Sequence, residues 1–145
     1  MDAKCRRITN RCSGVAAVAS FVAQPIPAAD ELIVVPVHYW LVVRMARTRG
    51  VKVRALPWGA IKKIIWYGAA ARLVVNFSLG LVPVVGAFSN SITAIALTEY
   101  LARWLDSYID DPASAPPDVS FDSLKALFTD AIKKKQSDGA GAEAT

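Results

Sequence analysis

Breaks that combine proline with a second proline or with glycine interrupt the apolar parts of this 145-residue chain in two places. One interruption is Pro25-Ile26-Pro27, and the other lies within residues 80–86, inside a run without charged residues from 73 to 98. Proline cannot donate a backbone hydrogen bond and disfavours the α conformation of the residue before it. Each interruption therefore ends one helix and lets another begin, which predicts two helical hairpins. The residues assigned to their tips are Pro25, Pro27, Gly80, Pro83 and Gly86.

The predicted fold is all-α: two hairpins packed as a four-helix bundle, followed by a short C-terminal amphipathic helix. In that helix, Phe121, Leu124, Leu127, Phe128 and Ile132 recur at the spacing of one helical face, and Ser120 is placed to cap it. The predicted segments are helices over 4–23, 27–50, 57–79 and 84–109 in a domain over 1–110, a proline-rich linker at 111–119, the amphipathic helix at 120–136 and a disordered tail at 137–145.

The segment ELIVVPVHYWLVV, residues 31–43, is also compatible with a β-strand. β-Branched and aromatic residues are concentrated there, as is typical of strands. Pro36 lies in the middle of the segment, where a central strand would lose a ladder hydrogen bond. We therefore expect a helix that Pro36 either kinks or opens.

Charge is distributed unevenly along the chain. Up to residue 72 there are 12 Lys or Arg against 3 acidic residues, whereas from residue 73 there are 5 against 9. Folding the chain into two hairpins gathers most of the cations at the open ends and leaves the tips apolar. The cations predicted to contact an anionic membrane surface are Arg44, Arg47, Arg49, Lys52, Arg54, Lys62 and Lys63.

Membrane association is one expectation from this layout. Hydrophobic residues make up 54% of the chain and the mean hydropathy is +0.34, yet no apolar run reaches the roughly 20 residues of a full span. The hairpins are therefore expected to dip into one leaflet, although Asp30 and Glu31 beside the first tip would be costly in hydrocarbon without partners. The alternatives are a soluble helical adaptor that self-associates through the small-residue face of the third and fourth helices, and nucleic-acid binding through residues 44–63.

Arg72 is a charge in an apolar segment, so it needs an anionic partner or a path to water. Asp30, Glu31 and Glu99 are the candidates, and Asp30 is preferred because helical stagger makes Glu99 distant. Such a pair would tie one hairpin to the other.

Two asparagines, Asn76 and Asn90, lie at equal distances on either side of Pro83. Their amides would pair across the second hairpin, or each would bond a nearby backbone group or water. The predicted internal polar ties are Asp30, Arg72, Asn76 and Asn90.

No pattern in the sequence predicts catalysis. His38 is the one histidine and has no nucleophile or carboxylate at a catalytic spacing, while Cys5 and Cys12 lack a metal-binding pattern and are expected to be reduced thiols. Phosphate-binding glycine motifs are also missing. We therefore expect a protein that is not an enzyme and that needs no cofactor or metal.

Two stretches, PIPAADELIVVPVHYWLVVRMARTRGV and LVPVVGAFSNSITAIALTEYLARWL, resemble the signature segments of a bacterial family, domain of unknown function 697. The resemblance covers about residues 16–108. It implies a helical module that accompanies Era-like small GTPases and is related to YcjF-like inner-membrane proteins. The residues that carry the resemblance are Pro25, Pro27, Asp30, Gly50, Pro83, Gly86, Asn90 and Thr98.

Together these inferences predict a non-catalytic, membrane-associated helical module. The resemblance implies that it is an accessory or regulatory partner of a separate small GTPase, on the cytoplasmic side of a bacterial inner membrane. A cytoplasmic adaptor that forms homo-oligomers is the alternative, and a nucleic-acid partner is the least expected.

Overall fold

The computed structural model describes residues 1–23, 29–79, 83–114 and 119–142. These residues form helices joined by short connectors and contain no strand, so the all-α prediction is confirmed and the strand alternative for residues 31–43 is wrong. Two single 3₁₀ turns occupy the connectors at Val53–Ala55 and Pro112–Ser114. The helices are α1 (Ala3–Val22), α2 (Glu31–Thr48), α3 (Trp58–Leu79), α4 (Pro83–Asp110) and α5 (Phe121–Ala142).

Local signals explain most of the helix ends. Ser120 caps α5, because its Oγ accepts the backbone N–H of Ser123 at 3.1 Å. Gly50 ends α2 with φ +70°, and the following backbone N–H, that of Val51, donates to the carbonyl of Ala46 at 2.9 Å. This is the Schellman arrangement, which favours glycine at the left-handed position. Pro36 lies inside α2 with its ring exposed, so it neither opens nor ends the helix.

The helices pair as two hairpins, α1 with α2 and α3 with α4, and α4 contacts each of the other four helices. At one end, the rings of Phe21 on α1 and Phe88 on α4 meet edge to face with centroids 5.9 Å apart. At the other end, Arg49 after α2 forms an ion pair with Asp110 at the end of α4. The segments that flank both tips therefore lie at one pole of the bundle, and the open ends of the hairpins lie at the opposite pole.

Helix α5 packs against α3 and α4 and completes the core. Its buried residues Leu124, Phe128 and Ile132 are on the predicted amphipathic face. The helix continues to Ala142, so it is longer than predicted and includes residues 137–142 of the segment expected to be disordered. The larger aliphatic side chains of the core include Leu41, Met45, Ile61, Ile64, Ile65, Leu97, Leu101 and Leu105.

Helices α3 and α4 approach closely at Gly68. A Cβ atom at this position would lie 2.4 Å from Cδ1 of Leu97, which is fully buried. The neighbouring Ala71 on α3 and Ala94 on α4 are also fully buried. These three small residues of the face expected to mediate self-association are thus packed within one chain.

Candidate functional site

A buried ion cluster lies close to the tips and joins the two hairpins. The guanidinium of Arg72 on α3 is fully buried; its Nη2 is 2.7 Å from Oδ2 of Asp30, and its Nη1 is 2.7 Å from Oε1 of Glu31. The predicted partner Asp30 is therefore confirmed. Glu99, the third candidate, forms an ion pair with Arg103 one turn along α4 instead.

Three uncharged polar residues complete the hydrogen bonding of this cluster. Ser20 on α1 accepts from Arg72 at 2.9 Å and donates to Asp30 at 3.1 Å. Thr93 on α4 accepts from Nε of Arg72 at 3.3 Å, and Oδ1 of Asn90 accepts from Nη2 at 2.9 Å. Side chains from all four bundle helices, together with Asp30 just before α2, therefore meet at one buried charge.

Asn90 is part of the cluster, as one of the predicted polar ties. Its Nδ2 donates to Asp30 at 3.1 Å and to the carbonyl of Ser20 at 3.0 Å, which links α4 to α1 and to the start of α2. The predicted amide pair between Asn76 and Asn90 lies outside the described residues, because the side chain of Asn76 is not among them.

The cluster contains one cation and two carboxylates, so full ionisation leaves a net negative charge. Burial raises the pKa of the Glu31 carboxyl, and the opposing attraction of Arg72 is the smaller effect. Oε2 of Glu31 is buried and accepts no hydrogen bond. A proton on Glu31 would therefore make the cluster neutral without breaking its contact with Arg72.

His38 on α2 forms a second buried polar pair, with Thr98 on α4. Its Nε2 lies 3.0 Å from the Thr98 hydroxyl, which donates to the carbonyl of Ala94 at 2.8 Å. Because the Thr98 hydroxyl proton is in the bond to Ala94, Nε2 of His38 must be the donor to Thr98, and Nδ1 is the unprotonated nitrogen. Burial, helped by the charge of Arg72, lowers the pKa of His38 to about 3. The ring is a neutral packing element at physiological pH.

Exposed large hydrophobic residues are concentrated at the tip end of the bundle. Leu32 is 80% exposed, Phe77 79% and Val22 71%, and each lies within about two turns of a tip. Single exposed hydrophobic residues are ordinary on a soluble protein, but contiguous patches mark contact surfaces. We call this surface the apolar pole; it comprises Val15, Val18, Phe21, Val22, Leu32, Ile33, Leu73, Val74, Phe77 and Phe88.

On α1, α2 and α3, the outer residues change from apolar near the tips to cationic toward the open ends. On α3 the outer face passes from Phe77 and Leu73 to Trp66 and then to Lys62. On α1 one stripe at helical spacing changes directly from valine to cations, in the order Val22, Val18, Val15, Arg11, Arg7, Lys4. On α2 the corresponding order is Ile33, Val37, Trp40, Arg44, Arg47.

Aromatic side chains occupy the boundary between the apolar and cationic surfaces. Trp40, Trp66 and Tyr67 are exposed, and we call these three residues the aromatic belt. The guanidinium carbon of Arg44 lies 5.6 Å from the centre of the Trp40 ring, and Nζ of Lys63 lies 5.6 Å from that of Tyr67. The aromatic belt was not predicted from the sequence, although the four-residue spacing of Trp40 and Arg44 is visible there.

The cations predicted to contact a membrane divide into two groups. Arg44, Lys62 and Lys63 adjoin the aromatic belt. The others lie at the opposite pole, about 27 Å from the tips by the length of the 18-residue helix α2. There Arg49 pairs with Asp110 and lies 3.8 Å from Asp106, so it is engaged within the chain. The remaining residues of that second group are Arg47, Lys52 and Arg54.

The predicted tip residues are only partly described. Pro25, Pro27 and Gly80 lie outside the described residues. Pro83 is the first residue of α4 and Gly86 is in its first turn, so the helix begins one residue before its predicted start at 84 and includes two residues that were assigned to the tip. Proline is well suited to the first turn because its missing N–H would have no partner there.

Two further properties bear on what the site does. Within the described ranges, no group of three or more His, Cys, Asp or Glu side chains is arranged to hold a metal ion. None of the helices in that part of the chain has the length and apolarity needed to cross a bilayer.

Comparison with protein families, curated proteins and solved structures gave no match to this chain. The resemblance to domain of unknown function 697 therefore stays a prediction from the two sequence stretches.

Proposed function

We propose that this protein is a non-catalytic, membrane-associated helical domain that inserts its apolar pole into one leaflet of a bilayer. The observation that carries the proposal is the order of side chains from the tips downward. On α2 and α3, aliphatic and phenyl side chains are followed by the aromatic belt and then by cations, and on α1 valines are followed directly by cations. Tryptophan and tyrosine favour the membrane interface, and arginine and lysine favour anionic headgroups. The order therefore follows the polarity gradient of a leaflet.

The height of the apolar pole suits insertion into one leaflet. From Arg11 to Val22 on α1 there are 11 residues, about 16 Å of helix, and from Arg44 to Leu32 on α2 there are 12, about 18 Å. Half of a bilayer's hydrocarbon core is about 15 Å thick. Inserting the pole to its full height would bring Arg11 and Arg44 to the headgroups.

The buried ion cluster removes the main objection to insertion. Asp30 and Glu31 would be costly in hydrocarbon if they were exposed and unpaired, because a charge loses most of its solvation there. Both carboxylates instead contact the buried guanidinium of Arg72, and Asp30 is itself almost fully buried. The apolar pole thus presents little of this charge at its surface.

The opposite pole would stay in water and be available to a partner. Its exposed cations include Arg47, Lys52 and Arg54. A separate small GTPase is the partner that the sequence resemblance implies, and it would bind on this side. The expected location is the cytoplasmic face of a bacterial inner membrane.

Flotation with liposomes tests the membrane proposal. The full chain is mixed with vesicles of phosphatidylcholine and phosphatidylglycerol, and floated protein is quantified with and without added salt. We expect flotation with the mixed vesicles, a blue shift of tryptophan emission from Trp40 and Trp66, and weaker binding in salt. Protein that stays at the bottom with anionic vesicles at low salt overturns the proposal.

Matched variants test which surface of the protein contacts the membrane. Phe77→Glu and Val18→Glu each place a charge in the apolar pole, whereas Ala126→Glu places the same charge on the exposed face of α5. We expect the first two to lose flotation and the third to retain it. If the chain is a dimer that Phe77→Glu converts to monomer, and no variant alters lipid binding, the apolar pole is a protein interface and the membrane proposal is wrong.

A further inference from the structure

An apolar groove of about 630 Å³ runs between α1 and α2. Arg11, Gly14 and Val15 line it from α1, and Val37 and Trp40 line it from α2. Its volume is within the range of pockets that bind small molecules. The groove is separate from the ion cluster, since none of the cluster's residues lines it.

The groove is cationic at one end and apolar at the other. Arg11 lines the first end, and Arg44 is close by because its guanidinium lies over the Trp40 ring. Val15 and Val37 line the other end, and the stripe continues on each helix to Val18 and Ile33 in the apolar pole.

Neither wall of the groove, both of which lie within the described residues, supplies an acidic side chain to the cationic end. Helix α1 has no acidic residue, and α2 has none after its first residue, Glu31, which binds Arg72. The thiol of Cys12 also lines the groove, but burial raises its pKa to about 11, so it stays uncharged. A ligand that fits this order must carry an anionic group at one end and an apolar chain at the other.

We propose that the groove binds one anionic phospholipid, with its phosphate facing Arg11 and Arg44 and one acyl chain along Val15, Val37 and Trp40. This inference rests on the proposed membrane association: the lipid would come from the leaflet, because insertion of the apolar pole brings the groove to the level of the headgroups. The lipid then lies with its chain directed toward the hydrocarbon and its phosphate toward water, as it does in the leaflet itself.

Gly14 provides a variant that closes the groove without disturbing the fold. It is exposed on α1, and a Cβ atom there would meet no heavy atom within 4 Å. Gly14→Leu therefore fits the helix and fills the groove. Gly59→Leu is the matched control, since Gly59 is also an exposed helical glycine with no neighbour within 4 Å and it lies on α3.

Calorimetric titration of the full chain with dihexanoyl phosphatidylglycerol below its micellar concentration tests the site without a bilayer. We expect saturable binding, at least a tenfold loss of affinity in Gly14→Leu, and no change in Gly59→Leu. Arg11→Gln with Arg44→Gln should also weaken binding severalfold. Glycerol phosphate, which has no acyl chain, should bind far more weakly than the lipid.

Three results would overturn the lipid site: no binding of the short-chain lipid, equal affinity of Gly14→Leu and the unmodified chain, or equal affinity for glycerol phosphate and the lipid. These outcomes are distinguishable from failure of the membrane proposal. Phe77→Glu should lose flotation but keep the short-chain lipid, whereas Gly14→Leu should lose the short-chain lipid and still float.

Discussion

Nη2 of Arg72 lies 2.7 Å from Oδ2 of Asp30, and this ion pair fastens α3 to the start of α2. Arg72 is fully buried and the side chain of Asp30 is only 6% exposed, so each charge has given up its water. The loss of hydration is offset only because both groups also form hydrogen bonds to Ser20 and Asn90. The ion pair thus keeps these charges inside the tip end of the bundle, whose surface is apolar.

Removing either partner of this pair should destabilise the fold strongly. Arg72→Met leaves two buried carboxylates without their cation, and we expect a loss of about 3–5 kcal/mol in the free energy of unfolding. Asp30→Asn leaves Arg72 paired with Glu31 alone, so its loss should be smaller. The double variant should lose about 1–3 kcal/mol less than the sum of the single variants, because the two side chains interact. Urea denaturation followed by circular dichroism measures all three. Strict additivity would show that the pair is not coupled.

His38 should make stability depend on pH. Its pKa is about 3 in the folded protein and about 6.5 when unfolded, so the unfolded chain takes up the proton first as the pH falls. The free energy of unfolding should therefore decrease between pH 6.5 and 3, with a slope from this residue approaching about 1.4 kcal/mol per pH unit. His38→Gln keeps an N–H donor for Thr98 and cannot titrate. Its unfolding energy should fall less steeply between pH 6.5 and 4.5, and an equal slope would contradict this account.

Much of the fold follows from local signals in the sequence. Pro57, Pro83 and Ser120 stand at helix starts and Gly50 at a helix end, where backbone sterics and capping decide the outcome with little help from the rest of the chain. The pairing of Arg72 with Asp30 was predictable for a different reason. A charge in a long apolar run requires an anion, and few anions are within reach.

Other features depend on how the helices are rotated and packed, which local signals do not determine. Ser20 and Thr93 face the ion cluster only because α1 and α4 turn those sides inward. The sequence predicts Arg49 as a membrane contact, but the fold brings Asp106 and Asp110, about 60 residues further along the chain, next to it. The apolar pole likewise becomes visible only when packing shows which hydrophobic residues remain exposed.

Gly68 should tolerate no side chain. A Cβ atom there would lie 2.4 Å from Leu97, whose side chain is enclosed by the core, so Gly68→Ala forces the two helices apart. We expect a loss of about 1–3 kcal/mol in unfolding free energy. Gly59→Ala, at an open helical position, should instead gain up to about 1 kcal/mol from helix propensity. Thermal unfolding compares the two.

A second substitution checks the cause of that effect. Leu97→Ala alone removes a buried side chain and should destabilise by about 2–5 kcal/mol. In the Gly68→Ala background it should cost less, since it also relieves the contact. If Gly68→Ala proves as stable as the unmodified chain, the close approach of α3 and α4 is relieved by movement of Leu97.

Glu31 should couple vesicle binding to pH. Burial already raises the pKa of its carboxyl, and lipid around the apolar pole would favour the neutral form further. A protonated Glu31 leaves Arg72 and Asp30 as a neutral pair, so binding to phosphatidylglycerol vesicles should strengthen as the pH falls through the raised pKa. Glu31→Gln should bind strongly at every pH at which the fold is intact. Glu99→Gln, which removes an exposed carboxylate paired with Arg103, should keep the pH dependence of the unmodified chain. A pH profile that Glu31→Gln leaves unchanged would assign the titration to another group.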